Sequence, residues 1–174
     1  MATFQDLLDQ IALKIGGTQP DVTGNPHFYS GYVKGDATGI SGIHGCYSVP
    51  PETVQEPPLG ILLPGSFQVN PDRPRNLLIQ GEEYQIDDVH LLLLVRRNDA
   101  KTQYANLNPF RDSVPAALRA ATQLGNPSLI SGQSLLQVWP SSGRAGVFRW
   151  ANTQLIGWDF TIRIARMIQA TYVS

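Results

Sequence analysis

The chain is short of charge. Lys, Arg, Asp and Glu make up 16% of its 174 residues, against a typical share of about a quarter. The net charge is −1, so the composition builds in no attraction to nucleic acid or to an anionic membrane surface. Cys46 is the single cysteine, which excludes an internal disulfide and fits a reducing compartment. No apolar run reaches the ~20 residues of a membrane span. The first residues hold no basic stretch followed by an apolar one, so no signal peptide is expected.

Signatures of chemistry are equally scarce. His44-Gly45-Cys46 sets two possible ligands close together, but structural zinc takes about four and catalytic zinc about three, and no CxxC or HxxxH accompanies them. A loop histidine and a small buried thiol is the better reading. Gly65-Ser66 and Gly132-Gln133-Ser134 lack the G-x-S-x-G spacing of a nucleophile elbow. Gly39-Ile40-Ser41-Gly42 lacks the lysine and helix of a phosphate loop. Glu82-Glu83 and Asp87-Asp88 are adjacent pairs whose members point apart in an extended chain, so both read as solvated charge. His90 reads as a polar residue at a strand end. The chain is expected to be no enzyme, with no catalytic residue, cofactor or metal.

What the chain does have is pattern, best developed at its end. Over Leu155 to Val173, Ile156, Trp158, Phe160, Ile162, Ile164 and Ile168 share one parity, and Asp159, Thr161, Arg163 and Gln169 the other. This predicts a long strand with one apolar face. Arg166 breaks the apolar parity, so a bulge or a subunit contact is expected there. The block Leu91 to Val95 inside a strand from Val89 to Arg97 is apolar on both parities, as in a strand covered on both faces. Phe4, Leu7, Leu8, Ile11, Ala12 and Ile15 predict a helix over 4–15 that ends at Gly16-Gly17. Tyr104, Leu107, Phe110, Val114 and Leu118 predict a second. It would start at Asn108-Pro109 and kink or restart at Pro115.

Between these lie weaker segments. Residues 18–58 read as an irregular Gly- and Pro-rich excursion with a loose hairpin, Leu59 to Leu63 as a buried strand and Gly65 to Arg75 as a loop. Residues 77–86 read as a hairpin, Leu135 to Trp139 and Val147 to Ala151 as strands, and Pro140 to Gly143 as a loop between them. The fold class is α+β: one domain over 1–174, with an antiparallel or mixed sheet, two helices on one face and long Gly/Pro-rich loops.

This order of pieces resembles a known family. It comprises the N-terminal helix, the Gly/Pro-rich excursion, the strand Pro58-Leu59-Gly60-Ile61-Leu62-Leu63-Pro64-Gly65 and the apolar strand Val89 to Val95. The helix Asn108-Pro109-Phe110-Arg111-Asp112-Ser113-Val114-Pro115-Ala116-Ala117-Leu118 and a hairpin ending Ile156-Gly157-Trp158-Asp159-Phe160-Thr161-Ile162 complete it. Together they resemble the tail terminator, or tail completion, proteins of long-tailed bacteriophages. The resemblance implies a structural virion protein of the tail or neck, assembled in the host cytoplasm. Its subunits would form a homo-oligomer, a hexameric ring on the last ring of the tail tube protein. The ring would end tube growth and offer a joining surface to the head-completion or connector protein. DNA would pass through the lumen without specific recognition, and no membrane would be involved.

Loops that project from such a subunit are where partners would meet it, and arginine suits interface ion pairs. The candidate subunit or partner contacts are Phe28, Tyr29, Tyr32, Phe67, Asp72, Arg73, Arg75, Glu82, Glu83, Arg163 and Arg166. Two other readings stay open. One is a head-completion or tail-tube subunit of the phage neck. The other is a small ligand-binding domain of non-viral type built on His27 to Tyr32.

Overall fold

A computed structural model describes residues 4–17, 31–35, 39–54, 56–69, 82–120 and 133–169, with the backbone alone at 82, 83, 120, 133–137, 168 and 169. Helix α1 (Phe4–Gly16) buries Leu7, Leu8, Ile11, Ala12 and Ile15, the stripe set by its spacing. Gly17 ends it at φ 118°, with its N–H bonded to the Leu13 carbonyl, a left-handed cap that glycine adopts without strain.

The sheet has six strands. Strands β1 (Tyr32–Lys34) and β2 (Gly45–Tyr47) pair antiparallel, a short hairpin within the 18–58 excursion. β2 lies parallel to β3 (Leu59–Val69), and β3 antiparallel to β4 (Glu82–Arg96). β4 pairs antiparallel with β6 (Thr153–Gln169), which pairs antiparallel with β5 (Gln133–Trp150). The order is β1-β2-β3-β4-β6-β5, so the fold is α+β with a mixed sheet. The long last strand is therefore central, and β5 is an edge.

One face of the sheet carries the helices. Leu91, Leu93 and Val95 of β4 and Ile156, Phe160, Ile162 and Ile164 of β6 join the buried stripe of α1 in one core. Helices α2 (Ala100–Leu107) and α3 (Pro109–Ala120) add Leu107, Phe110, Val114 and Leu118. The opposite face buries Leu59, Ile61, Leu92, Leu94 and Leu155, with Tyr47, Val54, Phe148 and Trp150 packed against them. The 50–54 segment is tied over this second cluster by the Trp150 indole, which donates to the Pro51 carbonyl at 2.8 Å. The Leu91 to Val95 block is covered on both faces, as its double apolar parity predicts.

Several boundaries differ from those read in the sequence. A helix does start at Asn108-Pro109, as read in the sequence, but it is preceded by a separate helix α2 from Ala100, because Asp99 caps it and accepts the Thr102 N–H at 3.1 Å. The break falls at Asn108, and α3 runs through Pro115. There the Arg111 N–H bonds to the Asn108 carbonyl, and the Leu107 carbonyl accepts the Trp158 indole N–H at 3.1 Å. Residues 65–69 are not loop but the outer half of β3. An extra residue between Pro64 and Phe67 makes a bulge opposite β4, and a Cβ on Gly65 would meet the Asp88 carbonyl. β4 starts at Glu82, so His90 is inside the strand rather than at its end. Pro140 to Gly143 is also strand: Pro140 is tolerated because β5 is an edge, and Ser141 is the extra residue of a bulge. Residues 77–80 lie outside the described residues.

Candidate functional site

Three places gather polar or exposed apolar groups. The first is the open face of β4 and β6. His90 Nδ1 lies 2.9 Å from Asp159 Oδ1, with both side chains about one-third exposed (39% and 34%). One step along, Arg163 Nε donates to Asp88 Oδ1 at 2.9 Å and Nη2 to Oδ2 at 3.4 Å, while the Ser66 hydroxyl donates to Asp88 Oδ2 at 3.3 Å. The Arg163 hydrogen bond holds the Asp88 carboxyl below its ordinary value, against a smaller opposing push from burial, and the Arg163 pKa rises for the same reason. Cross-strand registry creates this row: Asp88 faces Arg163 directly, and His90 meets Asp159 on the diagonal. His90 has Asp159 as its one side-chain partner among the described residues, so no nucleophilic hydroxyl joins the pair.

The second place is the far end of the helix-bearing face. Phe4, Pro64, Gly65, Ser66, Phe67, Gln85, Asp87, Asp88 and Arg166 line a cavity of about 400 Å³. At its floor Arg166 Nε donates to Asp87 Oδ2 at 2.6 Å, and the Gln85 amide donates to Asp87 Oδ1 at 2.6 Å. The Arg166 guanidinium lies over the Phe4 ring, 5.6 Å from its centre, within cation–π range. Beyond this floor, among the described residues, the sheet outruns its helices: Phe67 is 65% exposed and Val69 43%.

The third is the β5 edge. Arg111, Pro115 and Arg119 of α3 face Pro140 to Gly143, Trp158 and Phe160 across a cavity of about 270 Å³. Trp158 and Phe160 stack at 5.7 Å there. Gly143 keeps this place open, since a Cβ would come within 2.9 Å of the Phe160 ring.

The candidate contacts scatter across these places. Phe67 and Arg166 border one cavity, and Arg163 lies on the open face. Arg163 and Arg166 both find carboxylates within their own chain. The break in parity at Arg166 matches a bulge on the partner strand: an extra β5 residue sits between Leu135 and Gln137, opposite Arg166 and Ala165. Tyr32 is in β1, its hydroxyl donating to the His44 carbonyl at 3.1 Å and its ring 4.4 Å from that of Tyr47. Burial, aided by Tyr47 and Glu56, pushes its hydroxyl up to about 12. Glu82 and Glu83 open β4. Phe28, Tyr29, Asp72, Arg73 and Arg75 lie outside the described residues.

His44 and Cys46 do not converge on a site. His44 Nδ1 is 3.0 Å from the Glu56 carbonyl oxygen, while Cys46 is wholly buried in β2, where desolvation pushes its thiol pKa far up. No group of three or more His, Cys, Asp or Glu side chains is placed to share a metal ion among the described residues. The reading of Asp87-Asp88 as solvated charge fails for Asp87, which is 4% exposed. Adjacent strand residues face opposite ways, so one carboxylate turns under α1 and the other to the open face.

No protein-family model matches the chain, and no curated protein is significantly similar to it.

Proposed function

We propose that the protein is a structural subunit of a phage tail or neck, a tail terminator that forms a ring on the end of the tail tube. In this reading it stops tube growth and offers the head connector its joining surface. The observation that carries the reading is the part of the sheet that runs past its helices. Phe67 and Val69 stand 65% and 43% exposed there, beside a cavity floored by a buried ion pair. Exposed apolar side chains clustered beside a cavity mark contact surfaces. Here they lie on a rigid sheet rather than on a loop, which suits a subunit held in fixed geometry by its neighbours.

The near-neutral charge of −1 supports a ring through which DNA slides, because each phosphate contact would add a salt-sensitive hold. The site of action would be the virion, with assembly in the host cytoplasm on the tail tube protein. Phe67→Ser tests the reading. The variant is expected to keep its melting temperature and lose self-association or tail joining, measured by native mass and by complementation of tails lacking the protein. Normal tails with Phe67→Ser would count against it.

A further inference from the structure

We infer that the β5 edge is a strand-addition site for an extended acidic segment of a partner protein. From Ser142 opposite Thr161 to Trp150 opposite Thr153 the β5 pairing with β6 runs without a register shift. The Pro140 kink and both bulges lie before this stretch. Among the described residues β5 is the last strand of the sheet on this side, so the stretch presents a row of backbone donors and acceptors to whatever comes alongside. Natural edges are usually blunted by proline, bulges or charges; this half of β5 has neither proline nor bulge, and its charges, Arg144 and Arg149, are of one sign and would repel a second copy rather than an acidic strand.

Charge chooses the partner. β5 contains Arg144 and Arg149 and no acidic residue. Arg111 and Arg119 of α3 overhang the same edge through the cavity at Ser141 to Gly143, whose lining holds no carboxylate. None of these arginines has an ion-pair partner among the described residues. The cavity lies on the helix-bearing side, because Gly143 faces Phe160 and Phe160 is in that core. Arg144, one residue on, points to the other side.

A strand laid along β5 alternates its side chains between the two faces. Side chains on one face pass the Arg111–Arg119 cavity, and those on the other pass Arg144. Strand addition of this kind takes its affinity from main-chain hydrogen bonds and its specificity from pockets that receive alternate side chains. Glutamate fits the cavity: its carboxylate meets two guanidiniums, and its stem lies on the Trp158 and Phe160 rings. The inference goes beyond the ring reading and does not rest on it.

The probe is a labelled ten-residue peptide alternating Glu and Val, compared with its Lys and Val counterpart, on the full chain. Fluorescence anisotropy should show binding of the acidic peptide only. Arg111→Glu/Arg119→Glu should weaken it by about tenfold or more, and salt should weaken it as well. Hydrogen exchange should slow at amides in 142–150 on binding. If the charge reversal does not fold, Arg111→Gln/Arg119→Gln replaces it. Equal binding of the two peptides, or acidic-peptide binding without protection in 142–150, overturns the inference. So does protection, without peptide, of those amides in 142–150 that point away from β6, which would give the edge to a second copy. Native mass, read separately, tests the ring.

Discussion

Asp87 and Arg166 are 4% and 7% exposed. Charges this deep are tolerable only in each other's company, and here the Gln85 amide and the Phe4 ring complete the setting. Taking Arg166 away leaves Asp87 charged and buried, at a cost of about 3–5 kcal/mol. Arg166→Met is therefore expected to lower the urea midpoint sharply, and Asp87→Leu/Arg166→Met to recover most of the loss. A double variant no more stable than the single would show that the pair is not what holds this end of the sheet. Asp88 behaves differently. Its folded pKa lies below the ordinary 3.8, so its contribution to stability is present above that value and is lost as the pH falls through the lower folded one. Asp88→Asn should therefore lower the melting temperature near neutrality, where that contribution is present, and the two profiles should converge as the pH falls below about 4. The two aspartates could not be told apart in the sequence. Strand parity puts them on opposite faces, but which face lies under a helix depends on where α1 crosses.

At the scale of elements, periodicity was readable and punctuation was not. The stripe of α1 and the alternation of β6 are repeated signals spread over many residues, and both elements form where they point. Single prolines misled. Pro140 marks no loop, because a strand at an edge loses no ladder bond on its open side. Pro115 stops no helix. It still removes one N–H from the helix interior, where proline costs up to about 3 kcal/mol. Pro115→Ala should therefore raise stability, by about 1–3 kcal/mol in chemical denaturation. The β5–β6 turn carries a second local cost: Ala151 has φ 51°, a left-handed conformation that favours glycine. Ala151→Gly should stabilise by about 1 kcal/mol, read from the same experiment. An unchanged midpoint would mean that the turn relaxes out of that conformation in solution.

For the whole molecule, two kinds of surface carry different expectations. The exposed end of the sheet is apolar and the chain near-neutral, so self-association through Phe67 should persist in about 0.5 M salt, where exposed charge pairs are screened. An assembly several times the 19.1 kDa subunit that dissolves on adding salt would contradict this. The β5 edge, with its arginines, should show the opposite response. Of the candidate contacts among the described residues, Phe67 and Arg166 meet at one cavity while Tyr32 and Arg163 lie elsewhere, because a residue's chemistry says nothing of its neighbours. The unpaired arginines of α3 and β5 were visible as residues. Their meeting at one edge depends on α3 lying over β5, a packing that no local pattern encodes.

The sequence by itself determined helix α1, the apolar face of β6 and the double cover of Leu91 to Val95, because side-chain periodicity follows from backbone geometry alone. Only the tertiary structure decided that β6 is central and β5 the edge, that Asp87 is buried while Asp88 is not, and where the sheet outruns its helices. Those facts depend on which strands lie side by side and on where each helix ends. They are set by long-range packing between segments up to about a hundred residues apart, as when Trp150 reaches the Pro51 carbonyl.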